Sequence, residues 1–249
     1  MNLSGKVALV TGSSKGIGYA TVLALAKNGC HVIINYLNDE AEANKLKSLI
    51  TQSYQVKALV IKANVANEDE VIKMKNAIIK EFGKLDILVS NAGIAIDNDF
   101  KDKTADEFRK VLDVNLVGTF LVNKYFGQLM YTQKQGIIIN ISSTNGIDTN
   151  NPLAMDYDAS KAGVISLTHN FAQTYAPYVR VNSVAPGWTN TKAVEAMSPT
   201  HLEDEKQKNM LKRFAEPEEI ANVICFLASD EASYINNTII RVDGGIIHE

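Results

Sequence analysis

Seven short runs of the chain are apolar almost without interruption, at residues 6–10, 31–36, 56–61, 86–90, 136–141, 179–184 and 238–242. They do not alternate between apolar and polar positions, so each reads as a strand covered on both faces. Between them, at 17–29, 40–53, 67–82, 104–133, 156–176 and 217–229, apolar residues return at helical spacing. Helix starts carry their signals: Asn67 precedes Glu68-Asp69-Glu70, and Pro217 opens a turn continued by Glu218-Glu219. Strand and helix in strict alternation predict an α/β fold with a seven-stranded parallel sheet, helices on both faces and right-handed crossovers. No repeat and no Gly/Pro/Ser-rich linker interrupts the order, so residues 1–249 read as a single domain. The one long segment without a strand, 187–216, is expected to be a substrate lid at the C-terminal edge of the sheet.

The first strand runs directly into Thr11-Gly12-Ser13-Ser14-Lys15-Gly16-Ile17-Gly18 and then into the first helix. Glycines here let the chain turn sharply and bring backbone N–H groups and a helix N-terminus against a pyrophosphate. The spacing is G-x-x-x-G-x-G rather than G-x-G-x-x-G. A plain tight turn would also suit it; its place at the first strand-to-helix junction favours nucleotide binding. The second strand ends Asn35-Tyr36-Leu37 with no acid to take a ribose 2′-hydroxyl, and Lys15 can reach a 2′-phosphate. Both features favour NADP, while NAD stays open.

Composition narrows the classes. Net charge is −3, with 46% hydrophobic and 21% charged residues, which fits an ordinary globular protein and not a nucleic-acid binder working by bulk charge. Two cysteines, Cys30 and Cys225, cannot build a disulfide scaffold, and the histidines (His31, His169, His201, His248) show no metal-binding spacing. No apolar run reaches membrane-spanning length, and the N-terminal residues carry no signal-peptide pattern, so a cytoplasmic protein is expected.

Tyr157-Asp158-Ala159-Ser160-Lys161 places a tyrosine and a lysine on one face of the start of a helix. Nine tyrosines make about one accidental Y-x-x-x-K match expected, so position gives the pair its weight. A phenol titrates near 10 and exchanges protons poorly at neutral pH unless its phenolate is stabilised, which a nearby ammonium does. Ser142-Ser143 close the fifth strand; one reads as a turn or cap residue, the other as a hydroxyl able to polarise a carbonyl. No G-x-S-x-G elbow supports a hydrolase.

In this order the pieces resemble the short-chain dehydrogenase/reductase family along nearly the whole chain, which implies a Rossmann-type doubly wound sheet. Ser90-Asn91-Ala92-Gly93 is similar to the family's N-N-A-G element, and Asn115 to its helix asparagine. Asn140-Ile141-Ser142-Ser143 is similar to the catalytic-serine segment, Pro186-Gly187 with Thr189 and Thr191 to the P-G loop, and Val242-Asp243-Gly244-Gly245 to the C-terminal V-D-G-G.

The resemblance implies Tyr157 as general acid, Lys161 lowering its pKa and binding the nicotinamide ribose, Ser143 orienting the carbonyl, and Asn115 anchoring a water. It further implies a cofactor site of Gly12, Ser14, Lys15, Gly16, Ile17, Gly18, Asn35, Tyr36, Asn64, Val65, Asn91, Ala92, Gly93, Tyr157, Lys161, Pro186, Gly187, Thr189 and Thr191. No metal is expected.

Residues 32–36 and 214–221 look like the 3-oxoacyl-[acyl-carrier-protein] reductase subgroup, implying an acyl-thioester or other small-molecule carbonyl substrate and fatty acid biosynthesis. Three positions depart from that subgroup. Lys134 is the one basic residue in 127–136 for an acidic carrier protein, Thr189 replaces Ile or Val, and Asn236-Asn237 replace Thr-Gly. The polar loop 144–156 also suits a sugar or polyol dehydrogenase, and a non-catalytic nucleotide sensor is a third reading. Apolar residues beyond one face of the helices at 104–133 and 156–176 (Phe120, Leu121, Tyr125, Phe126, Phe171, Tyr175) fit a helix-pair interface, and the family expectation is a homotetramer.

Overall fold

The computed structural model describes residues 1–195 and 197–246; Ala196 and Ile247-His248-Glu249 lie outside the described residues. The strands are β1 (Val7–Val10), β2 (His31–Tyr36), β3 (Ala58–Lys62), β4 (Ile87–Ser90), β5 (Gly136–Ile141), β6 (Val179–Pro186) and β7 (Ile239–Val242). They form one sheet in the order β3-β2-β1-β4-β5-β6-β7, and every neighbouring pair is parallel. The helices are α1 (Gly16–Lys27), α2 (Glu40–Ser53), α3 (Glu68–Phe82), α4 (Ala105–Leu112), α5 (Gly118–Gln133), α6 (Met155–Tyr175), α7 (Lys192–Glu195), α8 (Pro199–Gln207) and α9 (Pro217–Ala228).

The unbroken apolar character of the strands follows from two cores, one on each face. Ala8, Val10, Val32 and Ile34 point to one side, where Leu25 of α1, Leu46 of α2 and Ile224 of α9 cover them. Val7, Leu9 and Ile33 point to the other, against Met74 of α3, Phe126 of α5 and Tyr175 of α6. Alternate residues thus serve opposite cores, and each fully buried Leu, Ile or Val contributes about 1.5–3 kcal/mol. Strand order reverses where β1 meets β4, which opens a crevice at their C-terminal ends.

The fold departs from the sequence expectation in particular places. The third strand starts at Ala58, because Tyr54 caps α2 in extended backbone and pairing with β2 begins at Val32↔Ala58. The helix expected over 104–133 is broken by a π-helical turn at Asp113–Val117. Directly after it, Gly118 lies so close to α3's approach that an added Cβ would stand 2.7 Å from Val65 Cγ2. Segment 187–216 holds α7 and α8 and is pinned by a parallel bridge between Thr189 and Ala215. Asn237 has φ +60°, a left-handed backbone that glycine or asparagine adopts most readily, and the Asn236 carboxamide accepts the Val181 N–H at 2.8 Å. Of the residues expected at a helix-pair interface, Leu121, Phe126 and Tyr175 are buried in this chain's own core, whereas Phe120 is 41% exposed.

Among the described residues, no helix is long and apolar enough to cross a membrane. Cys30 and Cys225 are both buried, and burial pushes each thiol up to about 12, so neither is a ready nucleophile.

Candidate active site

The C-terminal ends of β1, β4, β5 and β6 lie side by side, and each delivers part of the motif set to one edge of the sheet. After β1 the chain turns at Gly12 and Gly16, both with left-handed φ (+60° and +58°). Gly12 must also stay bare because a Cβ would sit 2.8 Å from Ala92 Cα. The turn is braced from behind: Asn91 Nδ2 donates to the Thr11 carbonyl at 2.9 Å, and Thr11 Oγ1 accepts from the Asn91 and Ala92 N–H groups. Asn35 is buried, accepts the Gly12 N–H at 3.1 Å and donates to the Ala63 carbonyl at 3.0 Å. Tyr36 is buried in the core beside it. Asn35 therefore braces the turn from inside the protein. Ser14 is also buried, and Ile17 is half-buried at the mouth of the turn.

The N-terminus of α1 is open to an anion. Lys15 at its N-cap makes no side-chain cap and the first turn holds no acid, so neither a cap nor a first-turn carboxylate occupies the helix's positive end. With the bare glycine cradle, this fits a dinucleotide's pyrophosphate. Thr191 closes the cradle from the P-G loop, its Cγ2 lying 3.5 Å from where a Cβ of Gly16 would be. Thr189 Oγ1 donates to the Gly187 carbonyl, and Gly187 N–H to Val242, which ties that loop to β7. Asn64 Oδ1 accepts the Ala66 N–H, and Val65 is buried against Gly118. The Lys15 ammonium stands 3.2 Å from Asp39 at the start of α2.

The reactive cluster comes from β5 and α6. Ser142 is buried and hydrogen-bonded to Val184 and Ser183, so it is structural. Ser143, one residue on, reaches the edge and interacts with the Tyr157 phenol. Lys161 Nζ donates to the Ile141 carbonyl at 2.8 Å and lies 5.4 Å from the Tyr157 ring centre. Burial pushes the phenol above its ordinary range; the Ser143 hydroxyl opposes the shift and the Asp158 carboxylate adds to it. Burial alone draws the Lys161 ammonium down to about 8.

Asn115 sits in the π-helical turn, fully buried. Its Oδ1 accepts the Ile94 N–H at 2.8 Å, and its Nδ2 donates to the Ile94 carbonyl and Ser160 Oγ. Ser160 Oγ donates in turn to the Tyr157 carbonyl, so Asn115 joins the loop after β4 to the tyrosine's helix. Gly93 is beside both, with Asn115 Oδ1 3.3 Å and Lys161 Nζ 3.5 Å from an added Cβ. Two hydroxyls and an ammonium thus gather next to a dinucleotide cradle, an arrangement able to protonate an oxygen while a neighbouring carbon accepts hydride.

Comparison with known proteins agrees with this chemistry. A family model described as enoyl-(acyl carrier protein) reductase matches residues 12–247. A 3-oxoacyl-[acyl-carrier-protein] reductase of Synechocystis sp. is 41% identical over 247 residues, covering 98% of each chain. The chain belongs to the short-chain dehydrogenase/reductase family. The Thermotoga maritima 3-oxoacyl-[acyl-carrier-protein] reductase FabG is 38% identical over 248 residues, 99% of this chain and 100% of its own. Among solved structures of similar shape, levodione reductase superposes with a TM-score of 0.93 at 34% identity, covering 97% of both chains. A putative gluconate dehydrogenase from Agrobacterium tumefaciens does so with 0.93 at 29%, covering 98% of this chain and 96% of its own. As a member of the family the chain is an oxidoreductase with a nicotinamide-cofactor fold.

Sequence reasoning passed over three residues of this short-chain dehydrogenase/reductase site. Asp156 is fully buried, accepts the Tyr157 N–H at 2.9 Å and pairs with the buried Lys103 at 2.9 Å. Asp158 accepts from Asn145 Nδ2 and the Asn151 N–H, both at 2.7 Å. Two acids flanking Tyr157 were the available signal, since acids in a first helical turn are otherwise simple dipole partners.

Proposed function

We propose that the chain is an NADP-dependent reductase of 3-oxoacyl thioesters, working in the cytoplasm as a homotetramer. Residues 1–249 act as one domain, with 187–216 as the lid over the substrate. The observation that carries the reading is the convergence of Ser143, Tyr157 and Lys161 beside the bare glycine cradle. The names of the relatives, reductases of 3-oxoacyl groups on a carrier, supply the substrate class.

NADPH supplies the hydride. Tyr157 gives its proton to the substrate oxygen, and Ser143 donates a hydrogen bond to the same oxygen. Lys161 holds the nicotinamide ribose and stabilises the phenolate as it forms. Asn115 anchors the water that returns the proton. Gly12, Ser14, Gly16, Ile17 and Gly18 receive the pyrophosphate, Ala92 and Gly93 the ribose side, and Pro186, Gly187, Thr189 and Thr191 the nicotinamide. Lys15 meets the 2′-phosphate, and Asn64 and Val65 the adenine. Two hydroxyls within hydrogen-bond reach of each other suit protonation of an oxygen; reduction of an enoyl double bond requires a proton at carbon instead.

A substrate panel read by NADPH absorbance tests the reading. Acetoacetyl thioester should be reduced faster with NADPH than with NADH, while crotonyl thioester and gluconate should not turn over. Tyr157→Phe should abolish turnover and leave NADPH binding intact. Faster oxidation of a sugar acid, or unchanged turnover in the tyrosine variant, would overturn it.

A further inference from the structure

Loop 144–151 has its own attachment to the tyrosine's helix, independent of the fold's backbone. Asp158 stands one residue after Tyr157 in the first turn of α6. One carboxylate oxygen accepts the Asn145 side-chain amide and the other the Asn151 N–H, both at 2.7 Å. Thr149 Oγ1 donates to Asn145 Oδ1, so the loop is closed on itself as well as on the helix. Asn145 in turn gives its backbone N–H to Ser143 Oγ at 3.2 Å. A hydroxyl that accepts a fixed N–H has fewer rotamers left, and its own proton is directed elsewhere.

We propose that Asp158 is a positioning residue for carbonyl reduction: by clamping loop 144–151 through Asn145 and Asn151, it holds the Ser143 hydroxyl toward the tyrosine and the substrate oxygen. The assignment rests on the carbonyl-reductase reading above. A carboxylate is the side chain that fits, because both donors point inward and a carboxamide could accept from only one of them. The same charge also acts on the reaction's proton donor. It faces Tyr157 from α6 and keeps the phenol protonated, alongside burial and against the Ser143 hydroxyl. The other charges around Tyr157 are the Lys161 ammonium on α6 and the mutually neutralised Lys103–Asp156 pair. A helix dipole partner alone would need neither the two loop contacts nor the link to Ser143.

Two variants of the full-length chain separate orientation from charge. Asp158→Asn removes the charge and one loop contact. Asn145→Ala removes the side-chain contact and leaves the charge. Removing an oxyanion-hole donor outright costs about 10²–10³ in kcat, so partial loss of Ser143 orientation should cost about tenfold in both variants. NADPH binding, followed by its fluorescence, should stay within about twofold of wild type. Tyrosinate absorbance, taken as the difference between each chain and its Tyr157→Phe counterpart, reads the phenol without any substrate. Both variants loosen the Ser143 bond that draws the phenol down, and Asp158→Asn alone also loses the charge that pushes it up. The titration should therefore lie at lower pH in Asp158→Asn than in Asn145→Ala, with the alkaline limb of kcat in the same order. Wild-type kcat in both variants, or a phenol that titrates no lower in Asp158→Asn than in Asn145→Ala, overturns the proposal. If the parent chain reduces no thioester of the panel, the substrate reading fails, and the phenol titration still decides the role of Asp158. Urea midpoints identify a variant that has lost its fold, in which case the other carries the result.

Discussion

Replacing Lys103 by methionine tests how the tyrosine's helix is held. The Lys103 side chain is 3% exposed and that of Asp156 0%, with Nζ and Oδ2 2.9 Å apart. The ammonium also donates to the Ile96 carbonyl at 2.6 Å, while the other Asp156 oxygen accepts the Tyr157 N–H. Methionine matches the length and apolar stem of lysine, so packing changes little. What it removes is the counter-charge of a buried carboxylate, and breaking a buried pair from one side costs about 3–5 kcal/mol. In a chain of this size each kcal/mol moves Tm by about 2–4 °C, so a fall of about 6–20 °C is expected. Replacing both partners, as Lys103→Met with Asp156→Leu, leaves no unpaired charge and should return stability to within about 2 kcal/mol of wild type. Urea unfolding with unchanged m-values measures all three chains. A single-variant loss under about 1 kcal/mol, or a double variant no better than the single, would refute the reasoning.

Three other outcomes follow from the geometry. Gly12→Ala forces an L-residue to φ +60° and a Cβ to 2.8 Å from Ala92 Cα; left-handed strain of about 1–2 kcal/mol predicts a Tm lower by about 2–8 °C, and a backbone shift that relieves the clash should weaken NADPH binding in a fluorescence titration. Lys161→Met should raise the Tm of the protein alone at neutral pH while abolishing turnover. The Lys161 pKa, lowered by burial to about 8 from 10.5, means its charge opposes folding below pH 8 by about 3 kcal/mol. Losing its bond to the Ile141 carbonyl returns about 1–3 kcal/mol of that. The opposition fades as pH rises from 8 to 10.5, so the variant's advantage should vanish there in a pH series of melts. Phe120→Arg places a charge on an exposed aromatic of α5 and, if the proposed tetramer uses that face, should reduce the mass seen by light scattering; a mass unchanged from the parent chain would move the proposed interface elsewhere.

The alternation of strands and helices was legible because burial on both faces leaves few polar residues in a strand, as in Ile33-Ile34 or Ile137-Ile138-Ile139. The glycine turn was legible for a backbone reason, since Gly12 and Gly16 hold left-handed φ that other residues avoid. What escaped depends on partners distant in sequence. Nothing in residues 104–133 announces a π turn; it is needed only because Asn115 must meet Ile94 and Ser160 at once. Lys103 and Asp156 are 53 positions apart, and each alone reads as a solvated charge. Asn35 is buried with its carboxamide spent on the Gly12 N–H and the Ala63 carbonyl, a choice fixed by the neighbouring turn and β3 and invisible in the run His31–Tyr36.

Two groups at the sheet edge carry a cost in the chain alone. Lys161 is buried with its ammonium destabilised, and α1 begins without a side-chain cap. Each deficiency has a matching feature in a dinucleotide: a ribose hydroxyl for the ammonium and a pyrophosphate for the open helix end. Relief of these costs enters through a tighter Kd, and mass action then gives about 2.7 kcal/mol at a hundredfold excess over that Kd. Lys161→Met removes the ammonium's share of the relief, so at one fixed NADPH concentration its Tm gain should be smaller than that of the parent chain, in step with a weaker Kd. An equal gain at equal concentration would mean that the buried ammonium is satisfied by Ile141 alone, and that its low pKa serves no purpose in binding.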